Sequence, residues 1–182
     1  TKSGEMTVSA PDVTEVYDGN TYGVTATASV GGATILYQDS EGGYTLTESP
    51  AFTNVGTYTV HFKATHDNYN DATGSARVKI TPRPVTFTAN SATLTYNGAE
   101  QSVTGYTLTE GSLVTDHSHT GAAGASGTDV GDYPATFTTA VSILNGGTDV
   151  SANYNITQKN GTLVITKSGR MRVSAPDVEK MY

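Results

Sequence analysis

Asn54-Val55-Gly56-Thr57-Tyr58-Thr59-Val60-His61-Phe62-Lys63-Ala64 is the stretch on which the fold turns. From Tyr58 onward, Tyr58, Val60, Phe62 and Ala64 alternate with Thr59, His61, Lys63 and Thr65, one set apolar and the other polar. A period of two residues places the sets on opposite faces and predicts a half-buried strand. The turn-forming run His66-Asp67-Asn68-Tyr69-Asn70-Asp71 follows, and then Ala76, Val78 and Ile80 alternate with Arg77 and Lys79. Two such runs around a turn predict a hairpin with the core under one face.

The lead-in to this hairpin recurs as Asp129-Val130-Gly131-Asp132-Tyr133, ahead of a second alternating run, Tyr133, Ala135 and Phe137. A short polar residue, a Gly and a Tyr at these intervals resemble the tyrosine corner of immunoglobulin-like sandwiches, where the Tyr hydroxyl bonds a nearby backbone group and pins the crossover between sheets. In antibody domains a Cys lies two residues after that Tyr; here those positions are Val60 and Ala135. With no Cys and no Trp in the chain, packing alone must hold such a core. No segment keeps a 3.6-residue period, so essentially no helix is expected.

Longer repeats frame these phrases. Thr1 to Tyr17 returns at Thr166 to Tyr182 with twelve of seventeen residues identical. A weaker match at about half that offset sets Tyr17-Asp18-Gly19 against Tyr96-Asn97-Gly98, with Met6 opposite Val85, Val8 opposite Phe87 and Val24 opposite Val103. Fixed-period similarity is the mark of a chain built by adding units. The expected organisation is module 1 at residues 1–82, module 2 at 83–165, and the first strand of a third, incomplete module at 166–182. The seam Thr81-Pro82-Arg83-Pro84 is stiffened by two prolines, which also block strand pairing across it. The fold class is therefore all-β, tandem immunoglobulin-like β-sandwich modules.

Composition narrows the function. Thr is the commonest residue, with 20 Gly and 11 Tyr, the bias of strands and turns. Only 15% of residues are charged and the net charge is -7. Ten Lys and Arg in an acidic chain make no basic stripe for phosphates, which argues against nucleic acid and anionic membrane surfaces as partners. No run of eighteen apolar residues exists to span a bilayer. The absence of Cys excludes disulfides and thiolate chemistry and fits either the cytosol or a bacterial exterior. The Thr- and Gly-rich character leans to the exterior.

Taken together, these phrases resemble the bacterial Ig-like repeats of the MBG or YDG type, found in tandem in large extracellular proteins. The residues carrying the resemblance are Tyr17-Asp18-Gly19 and Tyr96-Asn97-Gly98, the NVGTYTV and DVGDYPA phrases at 54–60 and 129–135, DNYND and ANYNI around Tyr69 and Tyr154, and the closing ARVKIT and GTLVIT. The resemblance implies a β-sandwich and a role as a stalk or adhesin repeat at the bacterial cell surface, with no activity in the repeat itself. Neighbouring modules of the same protein are the expected partners.

The candidate binding residues are Asn68, Tyr69 and Asn70 in the final loop of module 1 and Asn153, Tyr154 and Asn155 at the matching place in module 2. An aromatic ring between amides can stack on a sugar and hydrogen-bond it, so a host glycan or surface protein is the alternative partner. Recurrence in both modules favours instead a ring that closes the end of its own sandwich. His117 and His119 share a face if their segment is a strand, but no third ligand is evident, and no metal or cofactor is expected. Asp39 to Gly43 and His66 to Asp71 carry oxygen ligands without the spacing of a calcium loop, and Asp and Asn are equally the residues of turns. No nucleophile, base and orienting acid recur in a known catalytic pattern, so no enzymatic activity is expected. Finally, Glu5 and Glu15 become Arg170 and Lys180 in the repeated opening, a charge reversal suited to head-to-tail contact or to strand addition by 166–182.

Overall fold

The computed structural model describes all residues except Thr1, Ser3, Arg170, Arg172 and 175–182. Strands dominate in chain order: β1 (Val8–Ser9), β2 (Val13–Val16), β3 (Thr27–Ala28), β4 (Thr34–Gln38), β5 (Tyr44–Leu46), β6 (Gly56–His66), β7 (Tyr69–Thr81) and β8 (Arg83–Ala89). Then follow β9 (Ala92–Thr95), β10 (Gln101–Thr104), β11 (Tyr106–Glu110), β12 (His117–Gly127), β13 (Gly131–Asn145), β14 (Thr148–Asp149), β15 (Tyr154–Lys159) and β16 (Gly161–Thr166). The helical content of the described residues is one 3-10 turn, Ser151–Asn153. The architecture is all-β, in immunoglobulin-like sandwich modules. Packing groups the chain into two compact units: Thr1–Val85 with Gly111–Thr120 and Ser142–Thr157, and Thr86–Glu110 with Gly121–Val141 and Gln158–Tyr182.

In the first unit the expected hairpin is the centre of a five-stranded sheet ordered β2-β7-β6-β4-β5. β6 and β7 pair antiparallel from Gly56 opposite Ile80 to His66 opposite Tyr69. Val60, Phe62, Ala64, Ala76, Val78 and Ile80 are buried, as alternation demands. β1 and β3 form the covering two-stranded sheet, and their layer approaches closely: a Cβ on Gly74 would stand 2.6 Å from the Phe62 ring and 2.9 Å from the Val8 carbonyl oxygen. Tyr37 lies edge-on to Phe62 and its buried hydroxyl accepts the Ala26 N–H at 3.0 Å, so this buried polar group is satisfied.

In the second unit β13 pairs with β16 (Gly131 opposite Ile165), and β16 with β9 in parallel; β10 pairs with β12. β11 pairs antiparallel with β8, and Tyr106 on β11 meets both Phe87 and Phe137 at centroid distances of 5.7 and 5.4 Å. Ala89, Ala123 and Ala135 fill the narrow space beneath. Small side chains suffice there because the backbones come close: a Cβ on Gly161 would run into the carbonyl oxygens of Ala89 and Asn90.

Both tyrosine corners form. The Tyr58 hydroxyl donates to the Asn54 carbonyl at 3.0 Å, and the Tyr133 hydroxyl to the Asp129 carbonyl at 2.9 Å. The repeated opening strands also match in detail. β2 runs parallel to β7 and β9 parallel to β16; the Tyr17 N–H bonds the Thr81 carbonyl at 2.9 Å and the Tyr96 N–H the Thr166 carbonyl at 2.8 Å. Asp18 and Asn97 each accept the amide two residues on, at 2.9 Å, ahead of or around a left-handed Gly19 and Gly98. Most of the expected third opening strand, and with it the strand-addition and charge-reversal idea for Arg170 and Lys180, lies outside the described residues. Within it, Met171 and Val173 are exposed, whereas their counterparts Met6 and Val8 are buried.

Candidate functional site

Within the first unit, the end of the sandwich at Tyr17 is closed by side chains from Gly111–Thr120 and Ser142–Thr157. Tyr17 is only 4% exposed although it follows directly on an edge strand. The Tyr154 ring stands edge-on to it, 5.5 Å between centroids at 74°. This is the T-shaped geometry in which the positive edge of one ring faces the negative face of the other. The Tyr154 hydroxyl accepts the Val114 N–H at 3.1 Å and lies 2.7 Å from His117 Nδ1. Burial pushes the Tyr154 phenol up in pKa, so it stays neutral and serves as a hydrogen-bonding post. The turn from Val114 to His117, closed by the His117 N–H to the Val114 carbonyl, needs Asp116 at φ 66, a left-handed value that Asp tolerates better than most residues.

Beside this aromatic cluster, Asn153 reaches the tyrosine corner. Its Oδ1 accepts the Val55 N–H at 2.8 Å and its Nδ2 donates to Asn54 Oδ1 at 3.0 Å. Arg83 completes the closure: Nε and Nη2 donate to the Ser112 carbonyl and hydroxyl at 2.6 Å each, and Nη1 to the Tyr17 carbonyl at 3.4 Å.

The six sequence-selected residues thus divide into two groups. Asn153 and Tyr154 are buried and committed to internal bonds, while Asn155 is exposed on β15. Asn68 and Asn70 are exposed at the β6–β7 turn, and Tyr69 is half-buried, edge-on to His66 at 5.1 Å with Gly4 packed against its ring. The two triplets are not brought into one pocket: residues 68–70 stand at the β6–β7 turn, and residues 153–155 lead from the 3-10 turn into β15. The partners of Tyr154, namely Tyr17, Val114 and His117, were not singled out from sequence as a group. The repeated Tyr17-Asp18-Gly19 phrase carried the available signal, read only as the start of a module.

His117 and His119 stand two places apart on β12, and so on one face of it; His117 is half-buried and turned to Tyr154, while His119 is exposed. Among the described residues no group of three His, Asp or Glu side chains is placed to hold a metal ion. The remaining perturbed carboxylates are surface features. Asp71, bridged by Lys2 and Lys63 at 2.6 and 2.9 Å, is held below the ordinary carboxylate pKa by those ammonium groups, the Lys2 bond first. Asp39 is lowered by the Thr45 hydroxyl and then the Gly43 N–H, and Asp18 by the Tyr22 hydroxyl and then the Asn20 N–H. No described helix is long and apolar enough to cross a membrane.

No family model matches the chain, and no curated protein matches it. Among solved structures it is similar to a Drosophila N-cadherin EC1-3 crystal structure at 12% identity and TM-score 0.28, covering 92% of this chain and 69% of that one. It is likewise similar to the I9-I11 tandem from titin at 10% identity and TM-score 0.32, covering 90% and 66%. A third similarity, to an endo-fucoidan hydrolase of glycoside hydrolase family 107, has 14% identity and TM-score 0.23 and covers 85% of this chain but 32% of that one.

Proposed function

We propose that the chain is a stretch of tandem structural repeats, of the MBG or YDG type, from a bacterial extracellular or cell-surface protein. In this reading it acts as a stalk, spacer or fibre-forming element and has no catalytic role of its own. The observation that carries the reading is the closure of the sandwich end at Tyr17 by Tyr154 and Asn153. Both closing residues and both closed positions, Tyr17 and Asn54-Val55, have a counterpart elsewhere in the chain, in matching phrases about 80 residues away: Tyr69, Asn68, Tyr96 and Asp129-Val130. Residues that recur because they join structure to structure are what an additive array needs. The repeated phrases quoted above support the family, and the Thr- and Gly-rich, Cys-free composition supports the exterior location.

A second reading, adhesion to a host glycan or surface protein, is favoured by one feature: the half-buried Tyr69 lies between exposed Asn68 and Asn70. A glycan array together with a mucin pull-down, using the whole chain, separates the two. The spacer reading predicts no specific retention. Specific binding that disappears in Tyr69→Ala, with an unchanged unfolding midpoint, overturns it in favour of adhesion.

A further inference from the structure

One end of the second unit is open where the matching end of the first is closed. Tyr96 is 36% exposed against 4% for Tyr17, although both backbones are held by the same bond to a Thr carbonyl. A Cβ on Gly19 would meet Val114 at 3.0 Å, whereas Gly98, in the same left-handed turn, has nothing within 4 Å. Val55 has its N–H bound by Asn153, while Val130 is 45% exposed. Tyr96 and Val130 together line an apolar cleft, shared with Lys167, Gly169 and Met171.

The surface that would close this cleft is present elsewhere in the chain. Asn68 and Tyr69 are the repeat counterparts of Asn153 and Tyr154, the residues that close the Tyr17 end. The linker supplies a second, independent alignment. Gly169 lines the cleft with Tyr96 and Val130, and Gly4, the same position 165 residues earlier, packs against the Tyr69 ring. A further copy beginning at the repeated TKSG phrase therefore carries its Tyr69 on the linker glycine that already lies beside Tyr96. Its side chains can repeat the observed closure, with Asn68 Oδ1 accepting the Val130 N–H and Asn68 Nδ2 donating to the Asp129 side chain.

We propose that the Tyr96–Val130 cleft is the docking site for a second copy of this chain, which presents Asn68 and Tyr69 to it head to tail. The two patches differ, so the contact is heterologous and leaves the far end of each added copy open for the next, which extends rather than closes the assembly. The proposal rests on the tandem-repeat reading and adds its joint.

The test uses a two-copy protein in which residue 165 is followed directly by residue 1 of a second, complete copy. Tyr96→Phe in that second copy leaves only the first copy's Tyr96 to report. Tyrosine nitration by tetranitromethane is followed by peptide mass spectrometry in this protein and in the single chain. The expected result is that Tyr96 nitrates readily in the single chain and falls to the rate of Tyr17 in the two-copy protein. Adding Asn68→Ala to the second copy raises the Tyr96 rate again, and the single chain carrying Asn68→Ala keeps its unfolding midpoint because that side chain is exposed. Equal Tyr96 rates in the single chain and the two-copy protein overturn the docking proposal. They leave the spacer reading to its own test, since copies joined without docking still add length and a glycan-array signal is independent of Tyr96.

Discussion

Asn153 holds Asn54 side chain to side chain, Nδ2 to Oδ1 at 3.0 Å, across 99 residues of sequence, while its Oδ1 takes the Val55 N–H at 2.8 Å. A buried amide that spends both its donor and its acceptor on a tyrosine corner fixes where that corner can sit. Asn153→Ala leaves the half-buried Val55 N–H without its acceptor, while the exposed Asn54 Oδ1 turns to water, so a loss of about 0.5–1.5 kcal/mol is expected. Urea unfolding of the variant should show a lower midpoint with an unchanged slope.

The Tyr154 hydroxyl offers a cleaner deletion. Tyr154→Phe keeps the ring edge-on to Tyr17 but removes the acceptor of the Val114 N–H and the partner of His117 Nδ1. A loss of about 1–2 kcal/mol is expected in the same unfolding measurement. Tyr154→Ala, which also empties the space against Tyr17, should cost about 3–5 kcal/mol.

The two tyrosine corners predict a matched pair of effects. Tyr58→Phe and Tyr133→Phe each delete one hydroxyl bond to a backbone carbonyl, four residues upstream in both cases. Each should cost about 0.5–1.5 kcal/mol. Because the two bonds share no partner, the losses should add in the double variant.

Glycine tolerance should follow local space. Gly74→Ala drives a methyl into the Phe62 ring and the Val8 carbonyl, an overpacking worth about 1–3 kcal/mol. Gly31→Ala meets nothing within 4 Å, so it should be neutral or raise stability by about 0.4–1 kcal/mol through the unfolded chain. Thermal unfolding of the two variants distinguishes them.

Acid should destabilise the chain through its depressed carboxylates. Asp71, Asp39, Asp18 and Asp149 all fall below the ordinary value of 3.8 when folded, through bonds from Lys2 and Lys63, Thr45, Tyr22 and Ser151. The unfolded chain therefore takes up protons first. Their contribution is fully present above 3.8 and disappears as pH falls through the lower folded values. Glu110, lowered from 4.5 by the bonds from Lys159 and then Thr86, starts its loss earlier, so the melting temperature should be level from neutral pH down to about 4.5 and drop below that point. Asp71→Asn should make the acid limb shallower.

Much of the fold was legible because its signals are local. Alternation at Tyr58 to Ala64 and at Ala76 to Ile80 fixes which side chains face inward, and the structure buries all of them but Tyr58, which is half-buried. The corners were legible from a five-residue phrase because the bond they make spans only four residues. What could not be read was the company of Tyr154. Tyr17, Val114 and His117 lie 137, 40 and 37 residues away in sequence, and nothing in their own neighbourhoods marks them as partners. The repeat made the equivalence of Tyr17 and Tyr96 visible; only the coordinates reveal that one is covered and the other open.

Small-angle X-ray scattering from proteins carrying one, two and three consecutive copies of the 165-residue repeat tests the central claim most directly. Repeats that act as a structural spacer predict a maximum dimension that grows by the same increment with each added copy. Growth that falls away as roughly the square root of copy number, the behaviour of units on freely flexible joints, would contradict it.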